Sequence, residues 1–194
     1  MAGLDEVGRG ALAGPVTAAI CVLKDRELVK EVRDSKMLSE KKRKKLARLI
    51  KNRAKGWAIA FVSSSEIEKL GIQQATYLAF RRAIQKLTQP IDYLLVDAYR
   101  VPQIKIPQKA LKKGDQICLS IAAASVLAKV ARDELMRKMA QKYSGYYFEK
   151  NKGYGTKEHL AALEKLGPSP IHRRNFQPIK EKNESKEPGF GSQR

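Results

Sequence analysis

Between Leu119 and Lys142 the chain reads LSIAAASVLAKVARDELMRKMAQK, without a glycine or a proline. Alanine loses no side-chain entropy in a helix and straight-chain residues lose little, so this stretch predicts one long helix. Its first half carries small apolar side chains and predicts burial, whereas its second half is charged and predicts exposure. An alanine-rich face of this length needs a flat apolar layer to lie on. Three short apolar runs can supply one: 16–23 (VTAAICVL) after Gly14-Pro15, 57–62 (WAIAFV) and 93–97 (YLLVD). Each has the length and apolar character of a buried strand.

The remaining segments fill in around that layer. Ser39 predicts the N-cap of a helix over about 39–54, whose KKRKK run reads as a solvated face. Gly56 is expected to break it. Ser63–Ser65 offer a cap for a short helix ending at Gly71, and a longer helix is expected over about 73–87, stopped by Pro90. Residues 2–8 are short and mixed and receive no element. Residues 100–113, with two prolines and many lysines, read as a loop or irregular edge. Thr156 predicts the cap of a last helix over about 157–166. Strands and helices do not alternate cleanly, so the expected architecture is α/β, a central mixed sheet flanked by helices.

The chain has 194 residues, enough for one domain with a core that needs no disulfides. Cys21 and Cys118 lie in apolar stretches and read as buried free thiols. There is no apolar run of the roughly 18 residues that span a bilayer, and the acidic start lacks a secretory signal, so the cytoplasm is the default location and no membrane is expected. The charge balance is less ordinary: 39 Lys+Arg against 20 Asp+Glu gives +19. A surplus of that size points to a polyanionic partner, because basic side chains on phosphates release condensed counterions. A lysine-rich thermophile surface would raise glutamate as well, and here acids lag.

Because acids are scarce, their positions carry information. Asp5-Glu6 lies between Gly3 and Gly8, Asp97 ends an apolar strand, and Asp115 follows Lys112-Lys113-Gly114 just before the long helix. Singly, each reads as a turn or cap residue. Together, acids beside a core tolerate one another only around a shared cation, and oxygen ligands suit magnesium or manganese. Two such ions promote phosphodiester hydrolysis. Asp5 and Glu6 raise a geometric difficulty, since neighbouring strand residues point to opposite faces. Both reach one site only through a distorted backbone, a carbonyl or a water. Gly8-Arg9-Gly10 offers backbone that a ligand can approach closely, or a plain tight turn.

Leu4-Asp5-Glu6-Val7-Gly8-Arg9-Gly10, with Leu12-Ala13-Gly14-Pro15-Val16, closely resembles the signature of type 2 ribonucleases H. Further blocks match in order: Asp34-Ser35-Lys36 with Leu38-Ser39, Val96-Asp97, Lys113-Gly114-Asp115, Ser120 to Asp133, Gly153-Tyr154-Gly155-Thr156, and His172-Arg173-Arg174 with Phe176. The resemblance spans about 1–178. Ala11 departs from it, standing where the family commonly has proline.

The resemblance implies a ribonuclease H-like fold, with a mixed five-stranded sheet and a small helical C-terminal region within 1–178. The tail 179–194 is read as disordered and basic. It implies that Asp5, Glu6, Asp97 and Asp115 are catalytic and hold two divalent ions, Mg2+ or Mn2+. It implies that Gly8, Arg9 and Gly10 contact ribose 2′-hydroxyls, that Tyr154 packs on the sugar of the next nucleotide, and that Lys36 contacts a backbone phosphate. Asp133 is expected to have a supporting role. His159 and His172 read as phosphate contacts or satisfied structural groups rather than general bases. The expected activity is endonucleolytic hydrolysis of RNA in RNA–DNA hybrids. It includes incision 5′ of single ribonucleotides embedded in duplex DNA, with 3′-hydroxyl and 5′-phosphate products. A monomer is the default. The alternative is a non-catalytic basic nucleic-acid-binding protein, which would have no use for negative charge beside phosphates. A third reading is an enzyme acting on a DNA junction through the same fold.

Overall fold

The computed structural model describes residues 1–24, 32 and 39–180. The Asp34-Ser35-Lys36 block, including the phosphate contact expected of Lys36, and residues 181–194 of the tail lie outside the described residues.

Five strands form one sheet: β1 (Ala2–Val7), β2 (Val16–Leu23), β3 (Ala54–Val62), β4 (Leu94–Asp97) and β5 (Gln108–Leu111). Their order is β3-β2-β1-β4-β5. β1 pairs antiparallel with β2, which pairs antiparallel with β3. On its other side β1 pairs parallel with β4, and β4 parallel with β5. The sheet is therefore mixed, as expected, but two strands correct the sequence reading. The unassigned 2–8 segment contains the central strand. Residues 2–5 of β1 are buried on both faces, so no apolar–polar alternation marks them. Within the expected loop 100–113, the chain forms β5, a short, polar, half-exposed strand at the sheet edge. Gly56 does not end structure either: it lies inside β3, paired with Val22 beside a register shift.

The helices among the described residues follow the sequence closely. Helix α1 (Glu40–Arg53) is N-capped by Ser39. Helix α2 (Ser64–Lys86) joins the two segments expected on either side of Gly71, which becomes a kink with φ +73°. Ser63 and Glu66 form a reciprocal capping box at its start. A single turn, α3 (Gly114–Ile117), precedes α4 (Leu119–Lys142). Helices α5 (Phe148–Asn151) and α6 (Lys157–Leu166) form the C-terminal region, and the Thr156 side chain caps α6.

Alternation along β1 and β2 sorts the core into two layers. Ala2, Leu4, Ala18 and Ile20 pack toward α2, against Ala75, Ala79 and Phe80. Ala19 and Cys21 face the other way, toward Ala123 and Leu127 of α4 and Leu46 and Ile50 of α1. Each buried leucine- or phenylalanine-sized side chain contributes about 1.5–3 kcal/mol. A smaller cluster ties Ala13 to Met136, Tyr146, Phe148 and Ala162. Another joins Leu12, Leu163 and Ile179, so packing continues one residue beyond the expected boundary at 178.

Cys21 is buried and Cys118 half-buried, both as free thiols. Burial pushes the Cys21 thiol up to about 12, which leaves it chemically inert. Among the described residues no helix is long and apolar enough to cross a membrane.

Candidate active site

Parallel pairing of β1 and β4 brings two strand ends to the same end of the sheet. Leu4 is in register with Val96, so Asp5 and Asp97 follow side by side. Asp5 is opposite Ala19, on the α4 face, and is 5% exposed. Glu6 is opposite Ala18, on the α2 face. The divergence expected of neighbouring strand residues is therefore real. Asp97 ends β4, and its Oδ1 accepts the Gly114 N–H at 2.6 Å. Asp115 is the next residue, in the first turn of α3.

These carboxylates sense one another. Burial pushes the Asp5 carboxyl well above the ordinary carboxylate range, opposed by a Ser125 side-chain hydrogen bond, and the charges of Glu6 and Asp97 raise it further. Burial also raises Glu6; Arg9 opposes the shift and Asp97 adds to it. The structure thus brings Asp5, Glu6 and Asp97 within electrostatic reach of one another. Among the described residues, however, no three acidic, imidazole or thiol side chains stand close enough to enclose one cation.

The donor set fits a hard divalent cation all the same. All four side chains offer carboxylate oxygens. Glu6 Oε2 is buried without a hydrogen-bond partner, an atom whose desolvation a cation would offset.

The loop from Gly8 to Pro15 leaves the end of β1, and two buried arginines hold it. Arg173, 0% exposed, donates to the carbonyls of Gly8, Arg9 and Gly14 at 2.7–3.0 Å. Arg132, also 0% exposed, donates to Pro15, Lys152 and Ala13 carbonyls. Gly8 has φ +92°, and a Cβ there would lie 2.2 Å from Arg132 Nε, so glycine is required by both backbone and space. Gly10 differs, because a Cβ there would meet nothing within 4 Å. The fold itself does not demand glycine at position 10, so the open space beside it is available to a ligand.

Tyr154 packs on the same assembly, with Arg132 Cζ 5.3 Å from its ring centre. Leu12 and Ala13 N–H groups donate to Gly153 O, joining the Tyr154 turn to the glycine loop. The two histidines are satisfied structural groups. The Ser169 N–H donates to His172 Nδ1 at 2.9 Å, which leaves the His172 proton on Nε2. His172 Nε2 lies 3.0 Å from His159 Nε2, and His159 Nδ1 lies 2.8 Å from Tyr154 O. The neutral pair therefore donates in sequence, His172 to His159 to the Tyr154 carbonyl.

This pair has a pH consequence. Burial, with His159 adding like charge, lowers His172 from its ordinary 6.5 to about 4, and burial lowers His159 as well. Between those limits the unfolded chain binds protons that the folded chain refuses, so the pair's stability is fully present above pH 6.5 and is lost as pH falls toward 4. Urea unfolding should show a loss of about 2 kcal/mol from His172 on going from pH 7.5 to pH 5. Raised acids such as Asp5 act with the opposite sign, so the loss is read against His172→Asn. An equal pH response in both proteins would contradict the neutral pair.

Several of these residues carried no functional signal in the sequence. Arg132 stands in the charged half of the long helix, three residues after Lys129, where the sequence predicts exposure rather than a buried donor. Gln73, which accepts a hydrogen bond from Arg9, and Tyr99, beneath the Arg9 guanidinium, carried no signal. Asp133 pairs with Lys129 at 2.8 Å on α4, in keeping with a supporting role.

Comparison with known proteins supports the same family. The family model described as Ribonuclease HII matches residues 2–179. A ribonuclease HII of Desulfitobacterium hafniense is 51% identical over 181 residues, covering 93% of this chain and 70% of that protein. One of Caldanaerobacter subterraneus subsp. tengcongensis is 50% identical over 176 residues, 91% of this chain and 73% of that protein. The crystal structure of the ribonuclease H2 from Pyrococcus horikoshii has the same fold, with a TM-score of 0.80 at 24% identity over 95% of this chain and 97% of that one. The chain therefore belongs to the ribonuclease HII family of metal-dependent endonucleases.

Proposed function

We propose that this chain hydrolyses the RNA strand of RNA–DNA hybrids and incises 5′ of single ribonucleotides embedded in duplex DNA, leaving 3′-hydroxyl and 5′-phosphate ends. The observation that carries this reading is that Asp5, Glu6 and Asp97 lie at the same end of two adjacent strands, within electrostatic reach of one another and next to the arginine-held glycine loop. Bound Mg2+ or Mn2+ would supply the charge neutralisation and the activated nucleophile that phosphodiester hydrolysis needs. Asp5 and Asp97 are the principal ligands in this reading, and Glu6 and Asp115 complete the set. A passive nucleic-acid binder would gain nothing from buried acids beside its phosphate-binding face.

The loop and Tyr154 provide the choice of substrate. The 2′-hydroxyl is the group that separates RNA from DNA, and backbone at Gly8, Arg9 and Gly10 can approach it without side-chain obstruction. Tyr154 is half-buried, with Arg132 against its ring, and in this reading its exposed part meets a sugar. A deoxyribose fits flat against that ring, whereas an added hydroxyl would crowd it. The net charge of +19 supplies affinity for the phosphate backbone. The chain acts as a monomer in this reading.

The test uses three duplexes: DNA only, DNA with one embedded ribonucleotide, and an RNA–DNA hybrid. The chain should leave the first intact and cut the other two, with the cut in the second on the 5′ side of the ribonucleotide. Tyr154→Ala should slow incision at the single ribonucleotide by about tenfold or more, the loss expected when a positioning contact is removed. Cleavage of the DNA-only duplex would overturn the substrate assignment, and an unchanged rate for Tyr154→Ala would remove that residue from the site.

A further inference from the structure

The guanidinium of Arg9 is anchored on three sides. Nη2 donates to Gln73 Oε1 at 2.9 Å, across the site from α2. Nη1 makes only a long 3.4 Å contact with Glu6 Oε1. The Tyr99 ring, two residues beyond Asp97, lies under Cζ at 5.0 Å. Glu6 Oε2 is meanwhile buried and has no hydrogen-bond partner.

An arginine beside a buried glutamate would ordinarily close on it through two parallel hydrogen bonds. Arg9 does not. One arm is drawn to Gln73, and the plane of the guanidinium is fixed by Tyr99 through a cation–π contact. The consequence is a divided glutamate, with one oxygen touched weakly by Arg9 and the other left open. We propose that Gln73, supported by Tyr99, is a positioning residue that holds Arg9 off Glu6 and so keeps Glu6 available to a divalent cation.

The surrounding structure is built to keep Gln73 in place. It lies two residues past the Gly71 kink of α2. On the other side of the kink, Glu68 accepts the Arg174 N–H at 2.6 Å and its carbonyl accepts Asn175 Nδ2 at 2.9 Å. The neighbouring Arg173 holds the Arg9 carbonyl at 2.7 Å. The backbone of Arg9 and the helix segment just before the kink are therefore fastened to the same stretch, 173–175, and Gln73 lies on the segment that follows the kink.

Without the Gln73 acceptor, the acceptor that remains beside Arg9 is the Glu6 carboxylate, whose Oε1 lies 3.4 Å from Nη1 and whose buried Oε2 has no partner. Arg9 should rotate onto that carboxylate and compete with the cation. The sign of the effect follows: loss of Gln73 weakens metal binding through Arg9, and loss of Arg9 removes the competition.

This inference rests on the metal-site reading above, and the experiment separates the two. Manganese(II) is titrated calorimetrically into the full chain without nucleic acid, for wild type, Asp97→Asn, Gln73→Leu, Gln73→Glu, Arg9→Ala and the Arg9→Ala/Gln73→Leu double variant. Gln73→Leu should weaken manganese binding on the order of tenfold, as loss of an outer-shell partner does. Gln73→Glu, which keeps an acceptor for Arg9, should bind at least as tightly as wild type. In the Arg9→Ala background the Gln73→Leu change should have no effect, because there is no guanidinium left to hold away. A merely structural role for Gln73 would weaken binding in both backgrounds, and that result would overturn the proposal, as would wild-type affinity in Gln73→Leu. Should Asp97→Asn bind manganese like wild type, the metal site itself is misassigned and both readings fall.

Discussion

Asp97→Asn should lower turnover on an RNA–DNA hybrid by about a thousandfold or more while changing hybrid affinity by no more than about twofold, on the scale of losing a group that stabilises transition-state charge. The two effects separate because they rest on different residues. In the proposed assignment, turnover depends on negative charge at the joint end of β1 and β4, where Asp97 raises both Asp5 and Glu6 through its field. Affinity depends on basic side chains meeting phosphates. Asparagine keeps an Oδ1 for the Gly114 N–H, so the α3 turn should stay where it is. Single-turnover cleavage and filter binding on the same hybrid, in magnesium and in manganese, measure both quantities. Near-normal turnover would reject the assignment of Asp97.

Arg173→Met should destabilise the protein by about 3 kcal/mol. Methionine keeps much of the buried stem but orphans the carbonyls of Arg9 and Gly14 and leaves Gly8 O only a long 3.4 Å bond from the Ala11 N–H, and each unsatisfied buried acceptor costs about 1–3 kcal/mol. An opposing effect is present. Burial, with Arg132 adding like charge, lowers Arg173 to about 9, so removing this ion relieves some desolvation. Two stranded carbonyls and a weakened third outweigh that relief. For a domain of this size the melting temperature should fall by about 6–12 °C. Arg173→Lys should not restore it, since one ammonium lacks the planar fork that serves three separated acceptors. The same variant should lose discrimination at a single embedded ribonucleotide, because the carbonyls it frees belong to the loop proposed to read the 2′-hydroxyl. A melting curve identical to wild type would show that the loop is held by something else.

The sequence was most legible where one local rule dominates. The α4 helix was bounded at 119 and 142 because alanine-rich, glycine-free sequence speaks without help from tertiary contacts. Ser39, Ser63 and Thr156 were readable as caps for the same reason, a side-chain oxygen bonding a nearby N–H. β1 was not legible, since a strand buried on both faces over 2–5 and carrying two acids before its last residue has no period to detect. The edge strand β5 was hidden by its lysine and glutamine.

The assignment of the four acids and the glycine loop comes from the resemblance of their motifs. Composition and spacing alone left each acid with an ordinary structural explanation. What motif reading could not provide was the support around them. The two buried arginines, the histidine relay to Tyr154 and the Gln73 restraint on Arg9 all join residues far apart in the chain. Their identities become meaningful only when folding places a donor against a particular carbonyl.

The most direct measurement is anomalous diffraction from a crystal soaked in manganese. Density for the ion should lie at the joint end of β1 and β4, bounded by the carboxylates of Asp5 and Asp97 with Glu6 and Asp115 around it. Manganese bound elsewhere, with those four side chains untouched at saturating ion, would contradict the account.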